Sequence, residues 1–123
     1  MHDIETLADI KILVDAFYNK VGNNPLIGPV FHGVLKQHWQ PHMEKMYQFW
    51  QTVLLEEYTY NGRPFPPHAE LPISKDHFDQ WLALFKETLK EHFQGPKADE
   101  AYWRAEKMAI MFMSKIAYRR GDI

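Results

Sequence analysis

His68 is set apart from the other six histidines of this chain by its neighbours, Pro66 and Pro67. Each proline ring fixes its own backbone φ, so the imidazole is presented from a restricted segment. A side chain held in this way loses little freedom on binding, which suits a metal ligand. A single neutral imidazole offered from a rigid segment beside a flat apolar cleft is what the iron of a porphyrin requires on one face. The plainer case is a surface histidine in a proline-rich turn. On local sequence that case is the commoner, and both readings stand at this point.

Three more residues, from separate segments, pair an apolar body with a polar tip. Tyr18 adjoins Phe17 in the first apolar stripe, His42 shares a face with Met46 and Phe49, and Trp81 lies mid-stripe in a later segment. If buried, their tips need partners, and a small ligand on iron is one. Core packing serves equally for Tyr18 and Trp81, and exposure near a helix start for His42. Other chemistry is thinly represented. His38 and His42 are four apart, but Pro41 between them argues against a shared helix and so against a paired-histidine site. No His-Glu-x-x-His, Glu-x-x-His, Gly-x-Ser-x-Gly, P-loop or Gly-x-Gly-x-x-Gly sequence occurs. His77 and His92 read as semi-exposed. Arg104, Lys107, Arg119 and Arg120 read as solvated, with some of them available to a carboxylate at a pocket rim.

The elements that must position these residues are helices. Leu7, Ile10, Leu13, Val14, Phe17 and Val21 recur at steps of three and four, and Gly22-Asn23-Asn24-Pro25 ends that run. Val30, Phe31, Val34 and Leu35 fit one or two turns. A helix opening at Pro41, with Trp39 and Met43 clasped across its start, carries His42, Met46, Phe49, Trp50 and Val53 and frays near Glu56-Glu57. Pro64, Pro66, Pro67 and Pro72, with Asn61-Gly62, exclude regular helix before Pro67; one turn around His68 to Leu71 remains open. Tyr60, Phe65, Leu71 and Ile73 make this an ordered loop packed on the body. Ser74 caps a helix bearing Phe78, Trp81, Leu82, Phe85, Leu89 and Phe93, which Gly95-Pro96 ends. The last helix carries Ala98, Ala101, Ala105, Met108, Ala109, Phe112 and Ile116 and runs to about Arg120. Period-2 strand signals are absent. The expectation is an all-α protein.

Composition sets the bounds. The 123 residues suit a single domain spanning 1–123. The net charge of −2 gives no pull toward nucleic acid or an anionic membrane, and no apolar run approaches a membrane span. With no cysteine, thiolate-ligated haem, covalent c-type haem, iron–sulfur clusters and disulfides are all excluded. That composition, with no signal peptide in Met1-His2-Asp3-Ile4-Glu5, fits a reducing cytoplasm. Aromatic residues reach 15%, more than packing alone demands in a chain this small. They point to a pocket for something large, flat and apolar, or to an aromatic-rich core.

The order and spacing of several stretches resemble the truncated haemoglobins, specifically their third group. These stretches are Phe17-Tyr18-Asn19-Lys20-Val21, Pro25-Leu26-Ile27-Gly28-Pro29-Val30-Phe31, Trp39 with His42, Phe49-Trp50 with Leu54-Leu55, and Tyr60-Asn61-Gly62-Arg63-Pro64-Phe65 with His68. Leu71-Pro72-Ile73, His77-Phe78, Trp81-Leu82 and Leu84-Phe85 complete them, from about residue 10 to about residue 115. The resemblance implies a two-over-two helical sandwich around haem b (iron protoporphyrin IX). It places the proximal iron ligand at His68, the distal residues at Tyr18, His42 and Trp81, and haem contacts at Phe31 and Met46. Glu56 departs from the pattern, because relatives commonly carry glycine after the Leu-Leu pair.

The implied function is reversible binding of oxygen, nitric oxide, carbon monoxide or a similar small ligand. Dioxygenase or peroxidase-like turnover would need an electron donor from an unidentified reductase. The rival reading is a haem-free helical interaction module whose aromatic stripes meet a partner protein. A Soret absorption band separates the two.

Overall fold

The apolar spacing does produce helices. The computed structural model describes residues 1–63 and 71–121, and among these lie α1 (Leu7–Asn23), α2 (Gly28–Leu35), α3 (Trp39–Leu55), α4 (Lys75–His92) and α5 (Pro96–Arg120). No strand occurs among the described residues. His68, with Pro64, Pro66 and Pro67 and the turn expected after them, lies outside the described residues. So does the chain end at 122–123.

Helix α1 packs on α2, α3 and α4, while α4 packs on α5 and α3 meets α5. The pairs α1–α3 and α4–α5 thus lie one over the other, which is the two-over-two arrangement. The shared core is Ile10, Leu13, Val14, Phe17 and Val21 of α1 with Trp50 and Leu54 of α3 and Phe85 and Leu89 of α4. A smaller cluster joins Phe78 to Ala109, Phe112 and Ile116. Ala98, Ala101, Ala105 and Ala109 are all buried on α5, where short side chains let the helix lie close to its neighbours.

The starts of the helices differ from the sequence expectation in instructive ways. Leu7, counted in the first stripe, is 36% exposed, while Ile4, just before the helix, is 1% exposed and takes the core position. Helix α1 instead opens on a capping box. The Thr6 hydroxyl accepts from the Asp9 N–H at 3.3 Å, and Asp9 accepts from the Thr6 N–H at 3.1 Å. Helix α3 begins at Trp39, so Pro41 falls in its first turn, where N–H groups have no helical acceptor to lose. Pro41 therefore does not separate His38 from His42 as expected: His38 is the N-cap residue and the His42 N–H reaches its carbonyl at 3.3 Å. Trp39 packs edge-on against Phe31, with centroids 4.5 Å apart. At the other end Glu56 adopts φ 57°, ψ 29°, a left-handed conformation that glycine enters without steric cost. The Cβ of Glu56 carries a steric cost in this conformation that glycine would avoid.

Asp3 caps the distant helix α5. Its carboxylate accepts from the N–H groups of Lys97 and Ala98, each at 2.9 Å. Gly95 makes room for this: a Cβ there would lie 2.6 Å from Asp3 Cγ, and its φ is +141°. Burial would raise the Asp3 carboxyl, but the N–H groups of Lys97, Ile4 and Ala98 outweigh it and hold the pKa below 3.8. Because the folded pKa is depressed, this stabilisation is complete above the unfolded value. It is lost as pH falls through the folded value. Asp3→Ala is expected to cost about 1 kcal/mol at neutral pH. Urea midpoints of the two proteins should converge as the pH falls below the folded pKa; a constant gap across that range would refute the capping role.

Candidate functional site

The aromatic side chains fall into two layers. Phe17 and Phe85 are fully buried and form the floor. Tyr18, Phe31, Met46, Phe49 and Trp81 pack on that core while remaining half-buried. Phe17 is the hub: its ring meets Tyr18, Trp81 and Phe85 edge-on at centroid distances of 5.0, 5.5 and 5.1 Å. Trp81 also stacks on Phe85, with 5.8 Å between centroids and 9° between planes. An edge-on contact sets ring direction, so Phe17 orients two of the expected distal residues at once.

Tyr18, Phe31 and His42 are in mutual contact. Tyr18 stacks on Phe31 at 5.2 Å and 19°, and His42 stands perpendicular to Tyr18 at 5.2 Å and edge-on to Phe31 at 5.7 Å. Three helices supply them, α1, α2 and α3 respectively. Helix α2 is held against the end of α1 by close backbone approach: a Cβ at Gly28 would lie 2.9 Å from the Gly22 carbonyl oxygen. His32 reinforces this junction, donating through Nε2 to the same oxygen at 2.9 Å. Met46 follows His42 by one helical turn and is half-buried against the core. Of the six residues expected at the site, three touch one another, Trp81 joins them across Phe17, and Met46 lies beside His42. The sixth, His68, lies outside the described residues.

A phenol is neutral at physiological pH, and burial pushes Tyr18 further above its ordinary range. A neutral phenol can donate a hydrogen bond, as can an indole N–H. The arrangement therefore offers donors from Tyr18 and Trp81 amid rings and a thioether. Among the described residues no three of His, Asp and Glu gather to hold a bare metal ion. Such donors and apolar surfaces fit haem, which brings its metal in a flat apolar ring and asks the protein for few ligands.

Sequence reasoning passed over several residues that support this arrangement. Tyr47 of α3 donates to Asp15 of α1 in a short hydrogen bond. Its own pKa is pushed up to about 12 by burial and by that carboxylate. Thr52 accepts from the N–H groups of Thr59 and Tyr60, each at 3.0 Å, tying the loop back to α3. Tyr60 then rests edge-on against Phe49 at 5.4 Å. None of these has a local motif; their only signal is that polar groups interrupt apolar stripes. A cleft of about 450 Å³, lined by Asp3, Ile4, Glu5, Leu54, Leu55, Glu56 and Lys97, shares no residue with the aromatic wall. No helix among the described residues is long and apolar enough to cross a membrane.

The bacterial-like globin family matches residues 3–114 of the chain. A group 3 truncated hemoglobin of Campylobacter jejuni is 33% identical, with 91% of each protein covered. The crystal structure of group III truncated hemoglobin from Campylobacter jejuni superposes with a TM-score of 0.83 at 30% identity, covering 90% of this chain and 91% of that one.

Proposed function

The chain belongs to the group III truncated haemoglobins, a family of haem-binding globins, and from that premise we propose that it binds oxygen, nitric oxide or carbon monoxide reversibly on haem b. The observation that carries the reading is the contact of Tyr18, Phe31 and His42, with Trp81 directed by Phe17, around the neutral Tyr18 phenol. In this reading the whole chain, 1–123, acts as one domain. His68 is the protein's iron ligand, Phe31 and Met46 pack against the porphyrin, and Tyr18, His42 and Trp81 face the small ligand.

Haem, when bound, supplies an iron centre that takes a diatomic ligand. What the chain adds is polarity in a dry place. The Tyr18 hydroxyl and the Trp81 N–H donate to a ligand that gathers negative charge, and an apolar surround strengthens such bonds. His42, in contact with both Tyr18 and Phe31, closes the same side and controls entry. A pocket of this kind favours retention of the ligand, or redox chemistry on it, over ready delivery. Redox turnover would draw electrons from a separate reductase. A chain without cysteine suits a reducing compartment, and we place it in the cytoplasm.

The test is optical. The purified chain, titrated with hemin, is expected to show a Soret band in the ferric, ferrous and CO-bound states. His68→Ala should lose or shift that band. A chain that takes up no hemin would support the rival reading, a helical module that binds a partner through its aromatic surface.

A further inference from the structure

A row of rings leads away from the aromatic wall. Trp81 stacks on Phe85 with centroids 5.8 Å apart, and Phe85 stacks on Trp50 at 5.2 Å and 22° between planes. Trp50 meets Phe49 edge-on at 5.2 Å, and Phe49 meets Tyr60 edge-on at 5.4 Å. The inner rings are shut away from water, Phe85 being 1% exposed and Trp50 4%. The far end is open. Tyr60 is half-buried, and its hydroxyl lies against Gly62, where a Cβ would stand 2.5 Å from the oxygen. The Tyr60 N–H donates to Thr52 at 3.0 Å, so this last ring is tied to the helix that carries Phe49 and Trp50. Among aromatic side chains, indole and phenol give up an electron most readily, and a phenylalanine ring serves only as a bridge. From the site to the surface, Trp81, Trp50 and Tyr60 alternate with Phe85 and Phe49.

We propose that this row is an electron relay, and that Tyr60 is a second redox site where a small hydrogen donor is oxidised. The proposal rests on the haem reading above, with Trp81 beside the ligand. Hydrogen peroxide acting at the haem is the oxidant. Each of its two oxidising equivalents draws one electron from the Trp81 indole. Trp50 replaces that electron, and Tyr60 replaces the one Trp50 gave. Tyr60 breaks its O–H bond as it does so, releasing the proton to water and ending as a neutral radical. Two electrons and two protons cleave the O–O bond and convert the peroxide to two waters. A phenol or an enediol in solution then donates a hydrogen atom and restores the Tyr60 hydroxyl. Electron transfer falls steeply with distance, so ring contacts of this kind outpace a single jump from Trp81 to the surface.

The experiment treats the full, hemin-loaded chain with hydrogen peroxide in the presence of a nitroso spin trap. Peptide mass spectrometry locates the trapped radical, and loss of the Soret band times damage to the haem. The wild type is expected to carry its adduct on Tyr60, and ascorbate, an enediol, should suppress it. Trp50→Phe keeps a ring in place but removes the oxidisable link, so the Tyr60 adduct should be lost and haem bleaching should quicken. Tyr60→Phe blocks the exit with the loss of one hydroxyl. Oxidised products should then accumulate on Trp50 and Trp81. Trp103→Phe, exposed on α5 and outside the row, should match the wild type. A Tyr60 adduct that persists in Trp50→Phe overturns the relay, as does a wild-type radical confined to other residues. If Trp50→Phe does not fold, Tyr60→Phe decides: an unchanged distribution of oxidised residues overturns the proposal. An adduct that ascorbate leaves untouched overturns the exit at Tyr60. A chain that shows no Soret band on titration with hemin fails the haem reading itself, before peroxide is added, and the relay falls with it.

Discussion

Tyr18→Phe is expected to speed oxygen release from the ferrous protein by about ten- to a hundred-fold. The change deletes one hydroxyl and keeps the ring, so the stacking on Phe31 and the edge contacts with Phe17 and His42 have no reason to move. What is lost is a neutral hydroxyl donor that its neighbours desolvate. A hydrogen bond to a group bearing charge contributes roughly 1.5–3 kcal/mol, and each 1.4 kcal/mol is a factor of about ten in a ratio of rates. Stopped-flow displacement of oxygen by carbon monoxide gives the rate directly. Carbon monoxide, which gathers less negative charge, serves as the internal control: its own release should change far less. Equal effects on both ligands would mean that the substitution altered access, and an unchanged oxygen rate would remove Tyr18 from the site.

Phe17→Ala is expected to lower stability by about 3–5 kcal/mol. Phe17 is 2% exposed and touches Tyr18, Trp81 and Phe85, so its removal empties the floor on which both donors rest. Against a typical reserve of about 5–15 kcal/mol, that loss leaves a folded but weakened chain. Urea unfolding measures it, with Phe17→Leu as the volume-preserving comparison that should recover most of the loss. Haem-loaded Phe17→Ala should also release oxygen faster than the wild type, because Tyr18 and Trp81 lose the ring that aims them. A fall in stability below about 1 kcal/mol would show that the neighbours collapse into the space and that Phe17 is no hub.

Much of the architecture was legible in the amino-acid order. Side-chain burial on a helix repeats every 3.6 residues, so the stripes of α1, α4 and α5 announce themselves without tertiary context. Ser74 and Pro96 mark helix starts through local chemistry: the Ser74 N–H donates to His77 Nδ1 at 3.1 Å, and Pro96 stands in the first turn of α5. The ends governed by distant partners were not legible. Ile4 displaces Leu7 from the core, and the cap on α5 comes from Asp3, more than ninety residues away. Arg120 looked like a solvated charge, yet it spans to Leu71 and Ile73.

The site divides along the same line. The order of residues alone determined that Tyr18, Phe31, His42, Met46 and Trp81 sit on or beside apolar helical stripes, and that His68 follows two prolines, because local periodicity and proline geometry are properties of short segments. Only the tertiary structure decided that Tyr18, Phe31 and His42 touch, that Phe17 aims Tyr18 and Trp81 together, and that the phenol oxygen is desolvated. Contact between rings on different helices depends on how those helices cross and how closely glycine and alanine let them approach. Desolvation depends on everything packed around one oxygen, and neither quantity is carried by any short stretch of chain.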